Sequence, residues 1–161
     1  MRFLKPQVSR MKLSTRSRYG TRILLELARQ PAQQPIQVSE ISRRQEIPVK
    51  YLEQLLRTLK SAKLVRSVRG ARGGYLLAQQ PKTITLGYLV RLLEGQHELV
   101  ECISEPKTCK MADECRVRLA WKGATEALFQ TLDAITIADL LGAEDTPCAG
   151  VGPKSGGRGL A

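Results

Sequence analysis

Apolar residues recur at helical spacing in several separated blocks, and two short blocks among them alternate like strands. The first helical block runs from Ser14 to Gln30, where Tyr19, Ile23 and Leu27 step by four and Leu24 and Ala28 widen the face. Pro31 and Pro35 end it. A shorter helix is expected from about Val38 to Glu46, with Ile41 facing inward. Pro48 then suits the first turn of the next helix, because its missing N–H would be unpaired there anyway.

That next helix, from about Pro48 to Ala62, divides most cleanly. Tyr51, Leu52, Leu55, Leu56 and Leu59 form an apolar side. Lys50, Glu53, Gln54 and Arg57 fall at i, i+3, i+4 and i+7 and form a continuous polar stripe. A stripe about two turns long fits a DNA major groove. Leu64 to Val68 alternates as a short strand, Gly70-Ala71-Arg72-Gly73-Gly74 is a turn, and Tyr75-Leu76-Leu77 returns as a second strand. Strand, glycine turn and strand after a helix–turn–helix read as a wing. Its glycines allow close approach to a backbone, and Arg69 and Arg72 supply minor-groove or phosphate contacts. A nucleotide-binding loop is the rival, but no Walker lysine and no βαβ pattern accompany the glycines.

Beyond the wing, Ile84 to Glu94 reads as a helix with Thr85 as N-cap, and Gly95 to Lys110 is polar and irregular. A longer helix is expected from about Ala112 to Ile135, with Val117, Trp121, Ala124, Leu128, Leu132 and Ile135 in one stripe. That stripe suits a dimer seam, the alternative being packing within the chain. Thr136 to Leu141 adds a turn or two. The expected class is mostly α with a small β-wing: a winged helix–turn–helix plus a long dimerisation helix. The parts are a flexible arm over 1–10, the winged unit over 11–94, a cysteine loop over 95–111, a dimerisation region over 112–141 and a disordered tail over 142–161.

Charge sharpens this picture. Residues 1–80 carry 17 Lys and Arg against 4 Asp and Glu, whereas residues 81–161 carry 9 against 11. Basic character confined to the half with the helix–turn–helix is an electrostatic footprint for nucleic acid, not a general solubility device. No apolar run approaches the roughly 20 residues that span a bilayer. The start, MRFLKPQVSR, lacks the apolar stretch of a secretory signal, so a cytoplasmic location is expected.

Four cysteines in such a chain point to thiols or metal ligands rather than a disulfide scaffold. Cys102, Cys109 and Cys115 lie within 14 residues, spaced Cys-x6-Cys-x5-Cys. The spacing matches neither paired zinc ligands nor common ferredoxin runs. Soft thiolates suit iron–sulfur clusters; the bland alternative is small buried hydrophobes. Cys148, in the tail, reads as a free thiol.

The segments Met11-Lys12-Leu13-Ser14, Arg18-Tyr19-Gly20, Tyr51-Leu52-Glu53-Gln54-Leu55 and Val68-Arg69-Gly70-Ala71-Arg72-Gly73-Gly74-Tyr75-Leu76-Leu77 carry a resemblance. Over about residues 11–141 the chain resembles the winged-helix regulators that include IscR, NsrR and CymR, the Rrf-two family. The resemblance implies a homodimeric transcription regulator on a double-stranded operator. It also implies, as in many members, an iron–sulfur cluster, [2Fe–2S] or [4Fe–4S], held by Cys102, Cys109 and Cys115. Carried over by position, Glu53 and Gln54 face base edges with Lys50 and Arg57 beside them, and Arg69 reaches the minor groove. Gln can read adenine and Glu can accept from cytosine N4, while Lys50 and Arg57 could equally hold phosphates.

The chain departs from the pattern at the fourth ligand. The place of a ligating histidine in IscR is Arg118, and that of an N-terminal aspartate in NsrR-like members is Arg18. His97, Glu101, Glu105, Asp113 and Glu114 remain as candidates. A cluster-free thiol switch is the alternative regulator. An electron carrier would leave the polar stripe and the wing unexplained. An enzyme is not expected, since a single histidine leaves few acid–base options.

Overall fold

The structure is a computed structural model that describes residues 13–31, 34–95 and 98–142. The expected arm over 1–10, nearly all of the expected tail, Met11, Lys12, His97 and Cys148 lie outside the described residues.

Among the described residues seven α-helices and one hairpin follow in order: α1 (Thr15–Ala28), α2 (Val38–Gln45), α3 (Val49–Ser61), β1 (Val65–Val68), β2 (Gly74–Leu77), α4 (Leu86–Glu94), α5 (Glu101–Ser104), α6 (Arg116–Asp133) and α7 (Ile137–Gly142). Local chemistry sets the boundaries. Ser14 caps α1, its Oγ accepting from the Arg16 N–H at 3.1 Å. Thr85 caps α4 in the same way through the Tyr88 N–H. Each such cap is worth about 0.5–2 kcal/mol. Glu46, with φ 53°, turns the chain left-handed after α2 and swings it into α3.

The core joins the inner faces of these helices: Ile23, Leu24 and Leu27 of α1, Ile41 of α2, Leu52, Leu55, Leu56 and Leu59 of α3, and Leu89 and Leu93 of α4. Ile137 of α7 closes it. Burying each such side chain contributes about 1.5–3 kcal/mol. Glycines permit two close approaches. A Cβ on Gly20 would meet Leu93 Cδ1 at 2.3 Å, so α1 and α4 touch almost backbone to side chain. A Cβ on Gly74 would meet the Ile36 carbonyl oxygen at 2.2 Å. Ile36 and Tyr75 exchange backbone hydrogen bonds at 3.0 and 2.8 Å, which ties the hairpin to the entry of α2.

β1 and β2 are antiparallel, pairing Val65 with Leu77 and Val68 with Gly74. This is the expected wing. A network fixes α2 on α1: the buried Glu26 carboxylate accepts from Arg44 and from Gln45, each at 2.8 Å, and Gln45 accepts from Arg22 at 3.0 Å.

The long helix differs from expectation at both ends. Ala112 lies in a turn, and α6 begins at Arg116 because Arg118 satisfies the Ala112 carbonyl in place of a helical N–H. At the far end, Ile135 leaves the helix so that its carbonyl can accept from the Leu86 N–H at 2.9 Å, while the Ile137 N–H donates to Ile84. The face that α6 turns inward carries Thr125 and Phe129, with Arg91 stacked on the Phe129 ring at 4.3 Å. Arg91 also forks onto both carboxylate oxygens of Asp133, at 2.8 and 2.5 Å. Val117, Trp121 and Leu128 of the expected stripe remain 62%, 44% and 41% exposed, so packing within the chain does not account for them.

Candidate nucleic-acid interface and cysteine segment

α3 turns its leucines inward, which leaves Lys50, Glu53, Gln54 and Arg57 all exposed along one side. Pro48 stands just before the first residue and sets the chain for the helix. Thr58 extends the stripe, its hydroxyl donating to the Gln54 carbonyl at 3.3 Å. Tyr51 is only half-buried. Its hydroxyl lies 3.1 Å from Thr15 Oγ1, and its ring meets Tyr19 edge-on at 6.0 Å between centroids. The first turn of α1 therefore flanks the stripe. Arg16 lines an open groove of about 200 Å³ with Tyr51, Gln54 and Thr58. Its place beside α3 was not legible from spacing, since it depends on how α1 packs.

At its C-terminal end α3 reaches the hairpin. Lys60 Nζ donates to Ser67 Oγ at 2.8 Å and ties the helix to β1. Arg69 and Arg72 are exposed at the tip. Gly70, with φ 112°, makes the turn, closed by the Gly73 N–H donating to the Gly70 carbonyl at 2.9 Å. Gln37 steadies the tip by donating to the Ala71 carbonyl at 3.4 Å. The structure thus sets the two wing arginines on a hairpin docked to the helix that bears the polar stripe. On α2, Arg43 and Arg44 hold the Glu40 carboxyl down to about 2, through hydrogen bonds first and charge second.

The cysteine segment is built separately. Cys102 is half-buried in α5. Cys109 is exposed and follows a single tight turn over Pro106–Thr108. Cys115 is half-buried and is the N-cap residue of α6 rather than part of its first turn. Arg118 clasps the segment: Nε donates to the Cys102 carbonyl at 2.8 Å and a terminal nitrogen to the Ala112 carbonyl at 3.1 Å. The guanidinium is therefore engaged by backbone oxygens, not poised over the thiols.

Three soft thiols have the donor chemistry of an iron–sulfur site. Among the described residues no three His, Cys, Asp or Glu side chains form a group that could hold a metal ion. Glu101, Glu105, Asp113 and Glu114 are exposed on the same segment, and none completes a set. Among the described residues no helix is long and apolar enough to cross a membrane.

Residues 13–143 match the family model described as Rrf2, iron-dependent transcriptional regulator. The chain belongs to the Rrf2 family. It is 44% identical over 131 residues to Protein rrf2 of Nitratidesulfovibrio vulgaris, an alignment covering 81% of this chain and 87% of that one. Its fold matches the structure of CymR, the global cysteine regulator of B. subtilis, with a TM-score of 0.69 and 36% identity over 84% of this chain and 99% of that chain. It also matches T. potens IscR, with a TM-score of 0.63 and 35% identity over 82% and 87% of the two chains. This Rrf2-family chain is a winged-helix transcription regulator, and its relatives are regulators rather than enzymes.

Proposed function

We propose that this Rrf2-family protein is a cytoplasmic homodimer that reads a two-fold operator and uses its cysteine segment as the sensor. The observation that carries the reading is the exposed stripe of Lys50, Glu53, Gln54 and Arg57, with an arginine-tipped hairpin docked beside it. Gln54 would pair with an adenine edge, and Glu53 would accept from cytosine N4. Lys50 and Arg57 would neutralise phosphates, and Arg69 and Arg72 would follow the backbone into the minor groove. A carboxylate close to phosphates is unfavourable, so Glu53 raises selectivity more than affinity. The uncovered stripe of Val117, Trp121, Ala124 and Leu128 supports a second copy as partner, which would place two reading heads on one duplex.

The DNA assignment is tested with a duplex enriched from a random pool on the wild-type protein. Gln54→Ala is expected to cost about 1–3 kcal/mol on that duplex and little on unselected DNA, measured by fluorescence anisotropy. Equal losses on both would reduce Gln54 to a backbone contact.

Two chemistries compete for the sensor. Cys102, Cys109 and Cys115 as ligands of a [2Fe–2S] or [4Fe–4S] cluster are supported by their donor type and by the iron-dependent character of the family. A metal-free thiol switch is supported by the likeness to the cysteine regulator CymR. Arg118 would act in either case as the strut that positions Cys102 relative to Cys115.

A further inference from the structure

We propose that Glu94 is the positioning residue through which the cysteine segment acts on the DNA-reading helix, by holding the first turn of α1 against α3. This rests on the reading of the chain as an operator-binding regulator with a cysteine sensor.

Glu94 is the last residue of α4. One residue later Gly95, with φ 76°, ends the helix, and the segment that carries Cys102, Cys109 and Cys115 follows it in sequence. The Glu94 side chain reaches the start of α1. Its Oε1 accepts from the Ser14 N–H at 2.9 Å, the Ser14 hydroxyl at 2.9 Å and the Ser17 hydroxyl at 2.5 Å. Burial disfavours the ionised carboxyl, but the hydrogen bonds from Ser17 and Ser14 outweigh it and hold the group ionised below the usual carboxylate range. Bonds to a charged acceptor are roughly twice as strong as neutral ones.

The other side of that first turn touches the reader. Thr15 Oγ1 lies 3.1 Å from the Tyr51 hydroxyl. Tyr51 is next to Lys50 and one turn ahead of Gln54 on α3. Between Gln54 and Thr58 on α3 and Leu92 and Leu93 on α4 lies the open groove of about 200 Å³. Polar contact from the end of α4 to the exposed stripe therefore runs through α1. The leucine core below the groove holds α3 and α4 together but leaves Tyr51 half-buried at its edge.

All three donors meet one oxygen. A small displacement of the α4 terminus would therefore weaken them together, and Ser14 would lose the contact that fixes its cap. Coupling has to be demonstrated energetically and not inferred from adjacency.

The test uses the full-length chain carrying Cys148→Ser, so that iodoacetamide reports only on Cys102, Cys109 and Cys115. Affinity for the enriched duplex is measured before and after alkylation of metal-free protein. Hydrogen exchange at residues 14–18 is followed in parallel. In the parent, alkylation is expected to change affinity at least about fivefold and to change exchange at residues 14–18. In Glu94→Ala the change is expected to fall within about twofold, with exchange at residues 14–18 no longer responding. Tyr51→Phe, which cuts the far end of the route, should blunt the affinity response while leaving the exchange response in place. A Glu94→Ala protein that responds as fully as the parent would overturn the relay and leave the sensor reading intact. A parent that does not respond to alkylation would overturn the relay together with the thiol-switch reading of the sensor. Should Glu94→Ala fail to fold, Ser17→Ala removes one of the three donors; an undiminished response there would also overturn the proposal.

Discussion

At the scale of single residues, the exposed stripe of α3 was legible in the sequence because it depends only on helical spacing. Leucines at Leu52, Leu55, Leu56 and Leu59 leave Lys50, Glu53, Gln54 and Arg57 no direction but outward. Glu94 and Arg118 were not legible in the same way. Their partners, Ser14, Ser17 and the Cys102 carbonyl, are far away along the chain and are fixed by how helices pack. The Glu94 lock makes a pH prediction. Its carboxyl is held below its ordinary value of 4.5, so its contribution to stability is complete above that pH and is lost as pH falls through the lowered folded value. Thermal unfolding between about pH 6 and pH 3 should show wild type losing more stability than Glu94→Gln. Parallel curves would mean that the carboxylate gains nothing from Ser14 and Ser17.

At the scale of elements, the helix–turn–helix and the wing followed from periodicity and from the glycine turn, whereas the cysteine segment did not. Its polar, irregular sequence gave no period to read, and the structure orders it through α5, the turn over Pro106–Thr108 and the Arg118 clasp. The start of α6 was misplaced for the same reason, since a tertiary contact from Arg118 takes the Ala112 carbonyl. Phe129 does not stand out as the inward residue of α6 in the sequence because the more numerous apolar positions centre about a quarter turn away around the helix. The sensor chemistry is decided by the visible absorption spectrum, iron and sulfide content of protein purified without oxygen. Colour with matching iron and sulfide, lost in Cys109→Ala, is the outcome for the cluster reading. Colourless, iron-free protein after attempted reconstitution is the outcome for the thiol switch.

At the scale of the whole molecule, two surfaces stand uncovered among the described residues. One is basic and carries the reading helix and the wing. The other is the apolar side of α6, where Trp121 and Leu128 are exposed. Large apolar side chains aligned on one helix face fit a second copy. Leu128→Asp should convert a dimer to a monomer in analytical ultracentrifugation while leaving the helical circular dichroism unchanged. A Leu128→Asp protein that stays dimeric would place the seam elsewhere. On the proposed function the separation of charge keeps the two surfaces from competing: the basic half would face DNA, and the near-neutral half would be free to pair with a second copy. Sequence-selective reading by the paired heads is the central claim, and the most direct test compares wild-type affinity for the enriched duplex with affinity for a scrambled duplex of equal length and composition across a salt series. A preference of about a thousandfold or more that persists at physiological salt is the predicted result. Equal affinity for both duplexes, vanishing together as salt rises, would contradict the account and leave only a basic surface that binds any nucleic acid.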